Sequence, residues 1–405
     1  VRVLALGGAG GMGRHLCRAA LHLNGVDELI VADLNAPAAD AFARELGARG
    51  IGLDVTDSRA LSAALSGVDV VVNTVGPFFR FGVPILTAAI DAGCHYLDIC
   101  DDWEPTLDML GLNDRARAAG VTAVIGMGAT PGLSNLLAVL AARELDTTDE
   151  VITGWNIEAG GLDDTPGPEV SAAVVHGITQ MTGTIRVLRG GRMVDEPPLR
   201  RTVLDYPGLG RRTAWTFGHP EPITLPHTID TATTSVNVTV GSRPFIAFIQ
   251  AIRWAVDHGL MSPRSAARMA QTAEHRWPSP PMHKQFTPDR LPPLFALAKG
   301  IRNGHPAAAA VALRHYPGTT MGAVTGIPLA VALELCTTNA LTTPGVFAPE
   351  AIIDPDQYLT ALATHCPTNP SPQDMTITTR SWDPNATTTY RDGIHSARTA
   401  AALHI

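Results

Sequence analysis

Lysine is nearly absent from this sequence. Of its 30 basic residues only Lys284 and Lys299 are lysines, and the other 28 are arginines. A Schiff-base or general-acid lysine is therefore excluded from the first two thirds of the chain. Cysteine is scarce as well: Cys17, Cys94, Cys100, Cys336 and Cys366 are odd in number and show no C-x-x-C spacing. Neither a disulfide framework nor a zinc knuckle is indicated, and a reduced, cytoplasmic setting is expected. Charged residues make up 17 %, below the ~25 % of an average chain. The net charge of -8 comes without any Lys/Arg run, which argues against nucleic acid or an anionic membrane as partner. No apolar run reaches the ~18 residues of a membrane span. The opening residues already read as a strand, so no signal peptide is expected. H-E-x-x-H and G-x-S-x-G are both missing, so neither a metal site nor a serine-nucleophile elbow is expected.

What is present is a globular chain of 405 residues with 45 % hydrophobic content, enough for two or three domains at ~150 residues each. Residues 1–126 repeat one pattern. Short β-branched runs at 1–6, 28–33, 51–55, 68–74, 96–99 and 121–125 alternate with helix-like segments at 12–23, 36–46, 58–65, 84–92 and 106–119. Strands apolar throughout, alternating with helices, predict a parallel sheet covered on both faces, the doubly wound Rossmann arrangement. After residue 126 the pattern changes. Helical stretches at 133–145, 170–182 and 244–275 frame short Thr/Val-rich runs between 151 and 240, which predict a second, α+β domain on a mixed or antiparallel sheet. The proline-rich stretch 277–293 reads as a loop, and 321–341 as a helix interrupted at Gly326 and Pro328. Residues 366–405 show little periodicity and are expected to form a tail, loosely attached or packed on a neighbouring subunit.

Gly8, Ala9, Gly10, Gly11, Met12 and Gly13 fit G-x-G-x-x-G between a strand and an amphipathic helix. Such a loop needs a tight turn at Gly8, close backbone approach to a pyrophosphate at Gly10 and helix-on-strand packing at Gly13. The second strand ends in Asp33, where a carboxylate can accept from a ribose 2′-hydroxyl and would repel a 2′-phosphate, so NAD is favoured and NADP is the alternative. Asp54 and Val55 end the third strand, where adenine would lie. Thr74, Val75, Gly76, Pro77 and Phe78 leave the fourth strand beside the expected nicotinamide crevice.

The run VVNTVGPFFRFGVPILTAAIDAGCHYLD at 71–98 resembles the saccharopine dehydrogenase-like NAD(P)-binding domain, as does GMGATPGLSNLLA at 126–138. GHPEPITL at 218–225 and GVFAPEAIIDPDQYLTAL at 345–362 are similar to that family's second domain and closing segment. The resemblance implies a two-domain oxidoreductase, usually a homodimer, that moves hydride between nicotinamide and an amine or imine of an amino-acid-like small molecule. It divides the chain into a nucleotide domain (1–126), a substrate and dimerisation domain (127–340), a returning segment (341–365) and the tail (366–405). The glycine loop, Asp33, Asp54, Val55 and 74–78 match the family's cofactor-contact positions. Family saccharopine reductases often carry an arginine after the second strand and use NADP, whereas Asp33 stands here.

Imine reduction needs a group that exchanges a proton near neutrality and a contact that orients the substrate. Asp98, Asp101 and Asp102 follow the fifth strand, where clustered acids raise one another's pKa and attract a cationic amine. The alternative reading is that Asp98 bonds backbone and Asp101 caps the next helix. Glu158 and His176 flank a glycine-rich loop that includes Asp164, and His219 lies with Glu221 in a Gly-His-Pro-Glu-Pro turn. Arg80 is the first choice for a carboxylate clamp, and Thr130 either lines the nicotinamide or caps a helix. Reduction of a C=C or C=O bond, and nucleotide binding without turnover, are the competing readings.

Overall fold

Valine, leucine and isoleucine fill the early strand runs, and these segments pair in parallel. The structure, a computed structural model, describes residues 1–159, 172–276, 279–280, 282–338 and 340–402. The chain divides into two compact units, Val1–Leu133 with Met321–His365, and Ser134–Thr320 with Cys366–Ile405.

The first unit alternates β1 (Arg2–Leu6), α1 (Gly11–Ala20), β2 (Glu28–Asp33), α2 (Ala36–Leu46), β3 (Arg49–Gly52), α3 (Ser58–Leu65), β4 (Val70–Asn73), α4 (Phe78–Ala92), β5 (His95–Asp98), α5 (Trp103–Leu110), α6 (Asn113–Ala119) and β6 (Thr122–Val124). The chain returns to it as α13 (Met321–Thr337), β15 (Gly345–Phe347) and α14 (Pro355–Thr364). Its seven strands run in the order β15-β6-β5-β4-β1-β2-β3, all parallel. Val3, Leu4, Ala5 and Leu6 are wholly buried, as expected of a central strand with helices on both faces. The strand order reverses between β1 and β4, and a crevice outside their carboxyl ends is where such sheets bind ligands.

Three local differences have physical causes. Helix α4 starts at Phe78, not at Pro84, and runs through that proline, which gives up one i→i−4 hydrogen bond and crowds the carbonyl of Arg80. The expected single helix at 106–119 is two, broken around Gly111. Helix α13 runs through Gly326 and Pro328 and belongs to the first unit. Gly326 lies against α1 so closely that a Cβ there would fall 2.2 Å from the Met12 carbonyl oxygen, and the Pro328 carbonyl accepts from the Tyr358 hydroxyl at 2.7 Å.

The second unit holds α7 (Leu133–Ala142, with Leu133 still in the first unit), β7 (Thr147–Asn156), α8 (Ala172–Gln180), β8 (Ile185–Arg189), β9 (Arg192–Glu196), β10 (Arg201–Tyr206), β11 (Gly210–Thr216), α9 (Glu221–Thr224), β12 (Thr234–Val240), α10 (Arg243–Asp257), α11 (Pro263–Arg276), α12 (Met282–Gln285), β13 (Leu294–Arg302), β14 (His305–Leu313), β16 (Thr376–Arg380) and α15 (Ala386–Ala402). Its mixed sheet runs β10-β11-β12-β7-β13-β14-β16, with β8 and β9 branching from β12. Among the described residues of this sheet, β7 and β12 are the one pair that runs parallel. Ile246, Ile249 and Ile252 of α10, with Ala266 and Ala267 of α11, pack into one core cluster with Phe217. The segment expected as a tail, loosely attached or packed on a neighbouring subunit, supplies β16, paired with β14, and a helix of 17 residues.

Candidate functional site

The glycine loop of the first unit is built for backbone approach. Gly8 donates to the Ala32 carbonyl at 3.1 Å and Gly10 to the Gly7 carbonyl at 2.9 Å, which closes the turn over β1 and β2. A Cβ on Gly13 would fall 2.2 Å from the Gly7 oxygen, so only glycine allows α1 to start there. Asn35 and Asp57 cap α2 and α3 with their side chains. Helix α1 starts at Gly10 with no side-chain cap, so its end offers backbone N–H groups and a positive dipole to an anion. Ala9 and Met12 flank that start, both half-buried, and Gly10 and Gly11 are exposed.

Asp33 ends β2 and accepts from the Asn35 N–H at 3.0 Å. Beyond β3, Asp54 accepts from the Thr56 hydroxyl at 2.7 Å and the Thr56 N–H at 2.9 Å. These bonds, with the charge of Arg80, hold the exposed Asp54 carboxyl below its usual range. Arg80, on the first turn of α4, lies over the Phe81 ring at 4.9 Å and lines a groove with Val55 and Thr56. Thr74 donates to the Leu6 and Gly7 carbonyls at 2.9 and 3.1 Å, tying the exit of β4 to the glycine loop. Val75 donates to Asn73 at 2.9 Å. Gly76 is exposed and Pro77 half-buried, while the Phe78 ring is in the core and Phe79 is the exposed ring.

The ends of β4, β5 and β6 share a buried network. Asn73 donates to the Tyr96 hydroxyl, which donates to Asp98, both at 2.9 Å. The other Asp98 oxygen accepts from Cys100 N–H at 2.9 Å and Gly126 N–H at 2.7 Å. Asp98 is 0 % exposed, and burial raises its carboxyl to about 6 against the pull of these donors. Burial also pushes the Cys100 thiol well up, so it stays neutral at neutral pH. Asp101 and Asp102 are half-buried. The residue before α5 is Asp102, not Asp101, and its side chain makes no capping bond. Thr130 is half-buried in a loop closed by Gly128 N–H to the Pro131 carbonyl at 2.9 Å. Gly132, at φ +117°, passes so near Gly128 that no Cβ fits.

The second unit carries the remaining candidates. Glu158 accepts from the Ser242 hydroxyl at 2.9 Å and from the Ser242 N–H, which ties the end of β7 to the start of α10. His176 is half-buried on α8. Asp164 lies outside the described residues. His219 is 3 % exposed, stacked on Trp155 with ring centroids 5.5 Å apart, and its Nδ1 is 4.0 Å from a Glu221 oxygen. Glu221 is 0 % exposed and its other oxygen accepts from Ser134 at 2.7 Å and Asn237 at 3.0 Å. Asn237 also donates to Thr153 at 2.9 Å, and Asn135 to Thr224 at 3.3 Å.

Residues 3–124 match the family model for the saccharopine dehydrogenase NADP binding domain, and residues 128–366 that for the saccharopine dehydrogenase C-terminal domain. The chain belongs to the saccharopine dehydrogenase family. The apo structure of saccharopine dehydrogenase (L-Glu forming) from Saccharomyces cerevisiae is similar to it with a TM-score of 0.62 and 17 % identity, over 89 % of this chain and 96 % of that one. Homospermidine synthase from Legionella pneumophila, solved in complex with NAD, is similar with a TM-score of 0.54 and 12 % identity, over 89 % and 88 %. At these identities the likeness concerns the fold. With its family, the protein is an NAD(P)-binding oxidoreductase. No helix among the described residues is long and apolar enough to cross a membrane. In this saccharopine dehydrogenase family member, sequence reasoning passed over Asn73, Tyr96, Ser134 and Asn237. Ser134 and Asn135 stand directly after a Thr-Pro-Gly-Leu turn, and that position at a helix start was the available signal.

Proposed function

We propose that the protein is an NAD-preferring oxidoreductase that transfers hydride at a CH–NH or imine bond of an amino-acid-derived substrate. The observation that carries the reading is the first unit's pairing of an uncapped glycine-loop helix with Asp33 at the end of the next strand. The α1 terminus takes the pyrophosphate, and the Asp33 carboxylate accepts from the ribose 2′-hydroxyl while repelling a 2′-phosphate. When bound, nicotinamide supplies or accepts the hydride. The chain's task is then to exclude water, orient the amine and exchange one proton with its nitrogen. His219 is the proposed proton carrier, with Glu221 stabilising its charged form from 4.0 Å. Asp101 and Asp102 are proposed to attract the cationic amine. Assembly as a homodimer in the cytoplasm belongs to the same reading.

Fluorescence titration tests the cofactor half. Wild-type protein is expected to bind NADH at least tenfold more tightly than NADPH, and Asp33→Ala to weaken NADH about tenfold while sparing NADPH. Absence of binding by either nucleotide would overturn the proposal. Turnover of amino-acid-derived amines and imines against carbonyl and alkene substrates then decides the bond reduced.

A further inference from the structure

Arg80 stands beside the turn that follows β3. A groove of about 760 Å³ runs between α3 and α4, and Arg80 lines it together with Val55, Thr56, Leu61, Phe81 and Ile85. Val55 and Thr56 belong to the turn that follows β3, the outermost strand beyond β2. In a doubly wound sheet the adenosine half of a dinucleotide lies over the half containing β1, β2 and β3, with the acid after β2 at its ribose. The turn after β3 therefore lies past that ribose, on the side of the base. Arg80 starts from the exit of β4 and reaches across to this turn. One face of its guanidinium is backed by the Phe81 ring at 4.9 Å, and the residue is exposed. The Asp54 carboxylate, held on Thr56, is near enough to feel its charge.

We propose that Arg80 is an adenine-binding residue, laying its planar guanidinium against the purine with Phe81 behind it, and not a clamp for a substrate carboxylate. A guanidinium stacks on aromatic faces through its plane as well as its charge, which an ammonium cannot reproduce. The inference rests on the reading of the first unit as an NAD site.

The test uses the full chain and three probes, NADH, ADP-ribose and reduced nicotinamide mononucleotide, which lacks the adenosine half. Arg80→Ala is expected to weaken NADH and ADP-ribose about tenfold each and to leave the mononucleotide unchanged. Arg80→Lys is expected to recover little of that loss. Unchanged ADP-ribose affinity in Arg80→Ala, an equal loss for the mononucleotide, or full recovery by Arg80→Lys would each overturn the assignment. Should wild-type protein bind none of the three, the NAD reading itself fails, whereas wild-type binding with an indifferent Arg80→Ala removes only the role of Arg80.

Discussion

Among the described residues, Asp98 of the first unit and Glu221 of the second are completely buried, and the two are held in different ways. Asp98 takes two backbone N–H groups, from Cys100 and Gly126, and the Tyr96 hydroxyl. Glu221 takes side chains, the Ser134 hydroxyl and the Asn237 amide, and has an imidazole 4.0 Å away. Backbone donors are fixed by the strands that carry them and exchange no proton in catalysis, so Asp98 joins the end of β5 to the loop after β6. The donors to Glu221 are side chains, and the imidazole beside it, His219, is of a residue type that can exchange a proton near neutrality. On the proposed reading, the nature of the donors and not burial is what separates a structural acid from a chemical one.

The strongest way to break this distinction is at His219. Loss of a general acid or base removes roughly 10²–10⁴ in rate, so His219→Ala is expected to lower kcat about a thousandfold on the amine or imine substrate. NADH affinity should stay within about twofold. Glu221→Gln keeps the Ser134 and Asn237 contacts and should lower kcat by a smaller factor, with a shifted basic or acidic limb in the pH profile. A His219→Ala protein that keeps kcat within threefold would place proton transfer elsewhere, with Asp101 and Asp102 next in line.

Asp98 tests the other side of the comparison. Asp98→Ala strands two backbone N–H groups and a phenol without water, at ~1–3 kcal/mol for each unsatisfied group, so a loss of about 4 kcal/mol is expected from urea unfolding. The sign of its pH dependence follows from a folded pKa raised from 3.8 to about 6. The folded state binds the proton more tightly, so this contribution to stability is present below about pH 4 and is lost as pH rises through 6. The span is about 3 kcal/mol at ~1.4 kcal/mol for each unit of pKa. Asp98→Asn removes that slope while keeping an acceptor for Cys100 and Gly126. Equal slopes for wild type and Asp98→Asn between pH 4 and 7 would mean that Asp98 stays ionised throughout.

The same contrast explains what could be read in the sequence. The first unit was legible because its central strands β1, β2 and β4 are short Val/Leu/Ile-rich runs buried along most of their length, each followed by a helix of plain 3.6 periodicity. The glycine loop and Asp33 needed only local spacing. The β13–β14 hairpin was invisible: His305–Leu313 reads HPAAAAVAL, and alanine has little strand preference. It is a strand because β13 pairs with β7 and β14 pairs in turn with β13 and β16, a tertiary cause with no local trace. Likewise Asp98 could be suspected of bonding backbone, since its donors lie nearby in the pattern. Glu221 is joined to Ser134 across 87 residues and to Asn237 across 16, and no spacing rule reaches that far.

A third carboxylate sharpens the rule at its weak end. Glu144 is only partly buried and is held by charge: Arg380 of β16 donates to both its oxygens, at 2.8 and 2.5 Å, while Arg302 donates to the Glu144 backbone carbonyl. The Arg380 bonds hold the Glu144 carboxyl below its ordinary value of 4.5. This pair anchors β16, the edge strand that the last part of the chain adds to the second sheet. Solvent reaches both partners, so a double-mutant cycle of Glu144→Gln and Arg380→Gln should yield a coupling of only about 1 kcal/mol at pH 7. A depressed carboxyl contributes stability above its unfolded value, so the coupling should fade as pH falls below about 4.5. It should also shrink in molar salt, which leaves the buried Asp98 effect intact. A coupling as large as the Asp98 effect, or one indifferent to salt, would show that donor charge and not burial sets the hierarchy among these three acids.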